Sequence, residues 1–256
     1  ITIYLHALSL RVLVSFISFA CLAEEHFTPD HLASTYRDSA ESLIRKALDS
    51  DHGFERLAEM CDRFGPRFSG SATLEQAIDW ALEEMEKDGF SKVRGEPVMV
   101  PRWVRGKESL SIISPLEKSC RMLGLGGSVG TGPDGVVAEV LVVQSFEELK
   151  ANQVQAKGKI VLFNAPFTDY GATVVFRVRG AIEAAKAGAV ASLIRSVGPF
   201  SMQTPHTGMM VYDDAVPRIP HAAITLEDAM LLERMQERGD LLKVELHMEA
   251  QNMEPS

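Results

Sequence analysis

The hydrophobic period of this chain changes near Val93, and that change limits the folds open to it more than any other feature. Before it, apolar residues recur three and four positions apart, the spacing of one helix face. Thr28-Pro29-Asp30 supplies a capping hydroxyl, a proline at the first helical position and an acid facing the helix dipole. Leu32, Tyr36, Ala40, Leu43, Ile44 and Ala47 then form a stripe. A second helix is expected from about Gly53, carrying Phe54, Leu57 and Cys61 and ending at Phe64-Gly65-Pro66. A third, Ala72 to Lys87, aligns Leu74, Ile78, Ala81 and Met85 and stops at Asp88-Gly89.

After Val93 the apolar residues fall into short runs separated by glycine and proline, which reads as strands. Strands are expected at Ser109 to Ile113, Arg121 to Leu125, Val136 to Val143, Lys159 to Phe163, Ala189 to Ile194, His221 to Ile224 and Leu242 to Leu246. Helices at Ser145 to Lys150, Tyr170 to Ala187 and Thr225 to Glu237 interrupt them. The first and last open with capping boxes, Ser145-Phe146-Glu147-Glu148 and Thr225-Leu226-Glu227-Asp228. Alternation of this kind predicts an α/β module after a helical segment, with a boundary at Pro101 to Lys107.

The amino-terminal residues are of another kind. Arg11 precedes an apolar run from Val12 to Leu22, and Cys21 and Ala23 are the small residues a signal peptidase reads, so 1–23 is expected to be a secretory signal. A buried core helix or a membrane anchor is the competing reading, although the run is short against a bilayer of roughly 30 Å. Loss of the signal would remove Cys21, leave no membrane span, and leave Cys61 and Cys120 either to pair in an oxidising compartment or to stay free. The net charge of -9 and pI near 5.3 exclude a nucleic acid as the natural partner, because no basic excess exists to displace counterions from phosphates.

Two glycine-rich patterns carry less than they suggest. Gly126-Gly127-Ser128-Val129-Gly130 matches the nucleophile elbow of serine hydrolases, but a turn and a strand come after it where the elbow needs a helix. Gly130-Thr131-Gly132-Pro133-Asp134-Gly135 matches a dinucleotide fingerprint, yet the apolar, β-branched run after it offers no helix end to a pyrophosphate. The histidines show no metal-binding spacing; His26, His31 and His52 read as solvated and His221 as a partly buried strand residue. Two residues are candidates for substrate binding. His206 lies among the turn residues Pro205-His206-Thr207-Gly208, and Arg67, in Gly65-Pro66-Arg67-Phe68-Ser69-Gly70-Ser71, could offer a guanidinium fork to a carboxylate. For Arg67 the competing reading is a helix connection with Ser71 as the next cap and the arginine paired to a nearby acid.

That glycine-flanked arginine loop, with Val100-Pro101-Arg102-Trp103-Val104-Arg105-Gly106, Leu123 to Thr131, Gly180 to Ala189, Ser192 to Val197, Thr204-Pro205-His206-Thr207-Gly208 and Val216-Pro217-Arg218-Ile219-Pro220, resembles the secreted or lysosomal dipeptidases of the carboxypeptidase Q type. These belong to the zinc aminopeptidase and glutamate carboxypeptidase family. The resemblance implies that 24–105 is the amino-terminal segment of a zinc exopeptidase domain, 106–249 an inserted protease-associated domain, and 250–256 the return to the peptidase domain. It implies a peptide substrate, two zinc ions that activate a water for attack on the peptide carbonyl, and a homodimer. In that family the zinc ligands and the general base come after the inserted domain, so no catalytic or metal-binding residue carries over, and the chain reads as an inactive amino-terminal part. The alternative is a secreted, non-catalytic protease-associated module that binds peptides or proteins.

Overall fold

A computed structural model describes residues 29–255 and divides the chain into two units at Arg63 and Phe64. The expected signal at 1–23, Cys21 and His26 lie outside the described residues. In the first unit, α1 spans Pro29–Leu48, with Asp30 in its first turn and Arg45 and Lys46 in its last, as the helix dipole favours. Its stripe is left in solvent: Leu32, Tyr36, Leu43 and Ile44 are all exposed. The next helix, α2, spans His52–Phe64, and Phe54 and Leu57 are exposed as well.

In the second unit, α3 runs Ala72–Lys87 and is capped by Ser71, whose hydroxyl accepts from the Leu74 amide at 3.2 Å. It buries Ala77 and Trp80, and Trp80 packs against Phe64 with ring centroids 5.9 Å apart. Strand β1, Arg102–Val104, then leads into an eight-stranded sheet. Its strands are β2 (Glu108–Ser114), β3 (Lys118–Cys120), β4 (Met122–Gly124), β5 (Val136–Val143), β6 (Ile160–Phe163), β7 (Ala191–Arg195), β8 (His221–Ile224) and β9 (Lys243–Met248), in the order β3-β2-β9-β5-β6-β7-β8-β4. Strands β5, β6, β7 and β8 are parallel, and antiparallel strands flank them. Helices α4 (Phe146–Ala151) and α5 (Gln153–Ala156) follow β5, α6 (Tyr170–Lys186) follows β6, and α7 (Leu226–Glu237) follows β8. Finally β10, Gln251–Met253, pairs antiparallel with β1, so the chain enters and leaves the sheet region through one ribbon.

Both faces of the parallel strands are covered, which is why they read as unbroken apolar runs. Val140, Val142, Ile160 and Leu162 join a core with Leu232 and Met235 of α7; Leu141, Val143, Val161 and Phe163 join another with Ala181, Ala184 and Ala185 of α6. Each Leu, Ile or Phe buried in these layers contributes about 2 kcal/mol of transfer free energy. Beyond Glu139, β9 no longer follows β5, and the Gln236 amide takes its place. Its oxygen accepts from the Val142 amide at 2.7 Å, and its nitrogen donates to the Val142 carbonyl at 2.9 Å.

The capping boxes form only in part. Ser145 and Thr225 accept from the amides of Glu148 and Asp228, as expected. The reciprocal bonds go elsewhere: the Glu148 carboxylate takes the Gln144 amide at 2.6 Å, and Asp228 pairs with Lys118 of β3. Cys61 is exposed and Cys120 buried, and each is a free thiol.

Candidate functional site

Four of the stretches that carry the family resemblance meet around Gly124. Phe68, from the loop holding Arg67, packs edge-on against Trp103, centroids 5.6 Å apart. The indole Nε1 donates to the Ser128 carbonyl at 2.9 Å. The Arg105 guanidinium lies 5.5 Å from the Phe68 ring and 5.0 Å from the Trp103 ring, and donates to the Gly124 carbonyl at 2.6 Å. It also pairs at 3.1 Å with Glu108, whose carboxylate accepts from the Gly124 amide at 3.0 Å. The Thr207 hydroxyl reaches the same Gly124 carbonyl at 3.1 Å. Gly124 has no room for more: an added Cβ would stand 2.7 Å from Met248 and 2.8 Å from Glu108.

Arg67 lies beside this junction and donates from Nη1 to the Gly65 carbonyl at 2.6 Å. Ser71 caps α3, as the plain reading of this loop expected. Ser128 is fully buried; it accepts from the His221 amide at 2.9 Å and donates to the Val129 carbonyl, with no helix after it, so the nucleophile elbow is absent. Gly130 to Gly135 lead directly into β5, which leaves the dinucleotide pattern without its helix.

His221 corrects the expectation of partial burial, because its ring is fully buried. Gly180 of α6 admits it; a Cβ there would meet the imidazole at 2.9 Å. Burial drives the His221 pKa down to about 4, while the carbonyls of Ser192 and Phe176, 3.2 and 3.3 Å from its ring nitrogens, pull the other way.

His206 is exposed, in the long connection between β7 and β8. The segment around it is fixed at several points. The His206 amide donates to Ser196 Oγ at 2.8 Å, the Gly126 amide to the Gly208 carbonyl at 2.8 Å, and the Val211 amide to Val178 of α6 at 3.2 Å. This holds the imidazole edge-on to Tyr170, centroids 6.1 Å apart, at the start of α6. One face further along, Arg177 donates from Nη1 to the Tyr170 hydroxyl at 2.8 Å, its guanidinium 5.6 Å from that ring. Gly208 closes the cluster, since a Cβ there would lie 2.8 Å from the guanidinium carbon. The sequence pointed to His206 but not to Tyr170 and Arg177, because helical periodicity reports the buried stripe of α6 and these two stand off it. A tyrosine and an arginine seven positions apart, and so on one helix face, were the only signal.

No three His, Cys, Asp or Glu side chains come together for a metal among the described residues, so these residues do not fit a zinc pair. No described helix is long and apolar enough to cross a membrane.

No family model matches the chain. It is 49% identical over 222 residues to carboxypeptidase Q of Xenopus laevis, which covers 86% of the chain and 47% of that protein. It is 47% identical over 216 residues to carboxypeptidase Q of Homo sapiens, with 83% and 46% covered. The chain thus spans about half the length of the relatives it matches. Among solved structures, a peptidase M28 precursor from Shewanella amazonensis superposes with TM-score 0.80 at 33% identity, over 87% of this chain and 52% of that one. A zinc aminopeptidase from Bacillus subtilis superposes with TM-score 0.50 at 19% identity, over 80% of this chain and 45% of that one, and so bears on the fold alone.

Proposed function

The chain is homologous to carboxypeptidase Q over most of its length, and from that premise we propose that it is part of a secreted zinc-dependent exopeptidase that hydrolyses dipeptides or short peptides. The observation that carries the reading is identity of 46 to 49% across more than four fifths of the chain, joined to the match with the Shewanella peptidase. The described residues hold no metal cluster, so in this reading zinc and the hydrolytic groups belong to sequence outside 29–255. What these residues contribute is structural and substrate-facing. Residues 106–249 form a protease-associated domain inserted between peptidase segments at 24–105 and 250–256; the β1 and β10 ribbon supports this, since an insertion must begin and end at neighbouring points. The junction at Trp103 and Arg105 fixes the loop of Arg67 to the sheet, and Arg67 and His206 face substrate in the assembled enzyme. Secretion to the extracellular space or the lysosome and homodimerisation belong to the same proposal.

The test is a chimera in which this chain continues into the remaining sequence of the Xenopus relative. The chimera is expected to bind two zinc ions by metal analysis and to hydrolyse dipeptides, whereas the chain alone does neither. A folded, zinc-loaded chimera without hydrolysis would sink the exopeptidase reading. It would favour a non-catalytic module that binds peptides or proteins, for which the self-contained core of the sheet is the supporting observation.

A further inference from the structure

We propose that Arg177, Tyr170 and His206 form a binding site for a carboxylate carried by a short peptide. Arg177 is half-buried, makes no ion pair among the described residues, and its Nε is shielded without a partner. A half-buried guanidinium with no anion beside it carries an unbalanced charge, which a carboxylate at its open Nη2 edge would offset without reaching the shielded Nε. Its Nη1 is taken by Tyr170, and the built position of a Gly208 Cβ lies about equally close to Nε and Nη1, at 3.0 Å each. The N–H groups on Nη2 therefore have no protein acceptor among the described residues. Because the Tyr170 hydroxyl accepts from Arg177, its own hydrogen is free to donate. The ring nitrogens of His206 have no partner among the described residues, and the ring stands at the edge of Tyr170. Three donors from two elements thus converge on one exposed point, with an aromatic wall beside it.

The chemistry selects the ligand class. With Nε shielded and Nη1 taken, Nη2 and the Tyr170 hydroxyl can each donate to one oxygen of a singly charged carboxylate, whereas one cation balances only part of a phosphate dianion, which the net charge of -9 also disfavours. The loop is already pinned by Ser196, Gly126 and Val178, so little ordering remains for a ligand to drive. The choice of a peptide as carrier rests on the exopeptidase reading; the preference for a carboxylate does not.

The test uses the full chain in EDTA, where binding is read without hydrolysis, by calorimetric titration with alanylalanine, with its carboxamide, and with an aspartyl peptide blocked at both ends. Alanylalanine is expected to bind about tenfold or more tighter than its amide. Arg177→Gln and Tyr170→Phe should each remove that preference with the thermal midpoint unchanged. If Arg177→Gln fails to fold, Tyr170→Phe and His206→Gln, both at exposed positions, carry the test. A blocked aspartyl peptide that binds as well as alanylalanine assigns the carboxylate to a side chain, and one that does not assigns it to the terminus; the site stands in either case. Equal binding of acid and amide, or a preference that survives these substitutions, would overturn the site, while hydrolysis by the chimera would still stand as a separate result.

Discussion

Acidification from about pH 7.5 to about pH 5 should remove about 2 kcal/mol of unfolding free energy through one side chain, His221. Its ring is fully buried, and burial holds its pKa at about 4, against 6.5 for the imidazole in an unfolded chain. A neutral ring can donate to only one of the carbonyls of Ser192 and Phe176, so the site would gain a bond on protonation, but the loss of solvent outweighs it. Because the folded pKa lies below the unfolded one, the unfolded chain takes the proton first. Stability is therefore full above about pH 6.5, declines as pH falls, and levels off below about pH 4 after a loss of about 3 kcal/mol. Urea unfolding tracked by the fluorescence of Trp80 and Trp103 at several pH values reads this directly. The variant His221→Gln should lose the slope, whatever its stability at neutral pH. Glu139 and Glu227, held below the usual carboxylate range by hydrogen bonds from Lys159 and Ser201, lose their contributions only at lower pH, outside this window. A wild-type stability that stays flat over the window, or a variant that keeps the slope, would refute the argument.

Arg105→Ala strands the Glu108 carboxylate, only 8% exposed, and should cost about 3 kcal/mol in urea unfolding. Adding Glu108→Gln should recover part of the loss, and a double variant no better than the single would count against a buried ion pair. Cys120, whose thiol burial pushes up to about 11, should resist alkylation in the native state, while exposed Cys61 reacts; peptide mapping by mass spectrometry separates the two, and equal labelling would contradict the packing of β3.

Much of the secondary structure was legible because each long element has its own local signal. The limits expected for α3, Ala72 to Lys87, and for β5, Val136 to Val143, match those observed, since period and stop residues agree there. Strands β1, β3 and β10 were not legible. Each has three residues without a β4-like apolar run around it, and β1 and β10 exist only through pairing with each other across the whole sheet region. The candidate sites divide in the same way. The loop around His206 announces itself by turn residues, and the turn and strand after Ser128 already mark it as no nucleophile. Convergence of Phe68, Trp103, Arg105 and Gly124 depends on tertiary approach, as does that of Arg177 with Gly208, and no local pattern reports either.

The ribbon of β1 and β10 also decides how the sheet would respond to force. Arg102 faces Met253 at its outer end and Val104 faces Gln251 at its inner end, so tension applied through the flanking chain reaches the outermost pair first. The ribbon would then open like a zipper, one pair at a time, and none of the load would shear β5 against β6 until it had parted. The sheet is in effect hung from a fuse: pulling, or a protease working on the flanks, spends itself on two three-residue strands while the parallel core stays closed.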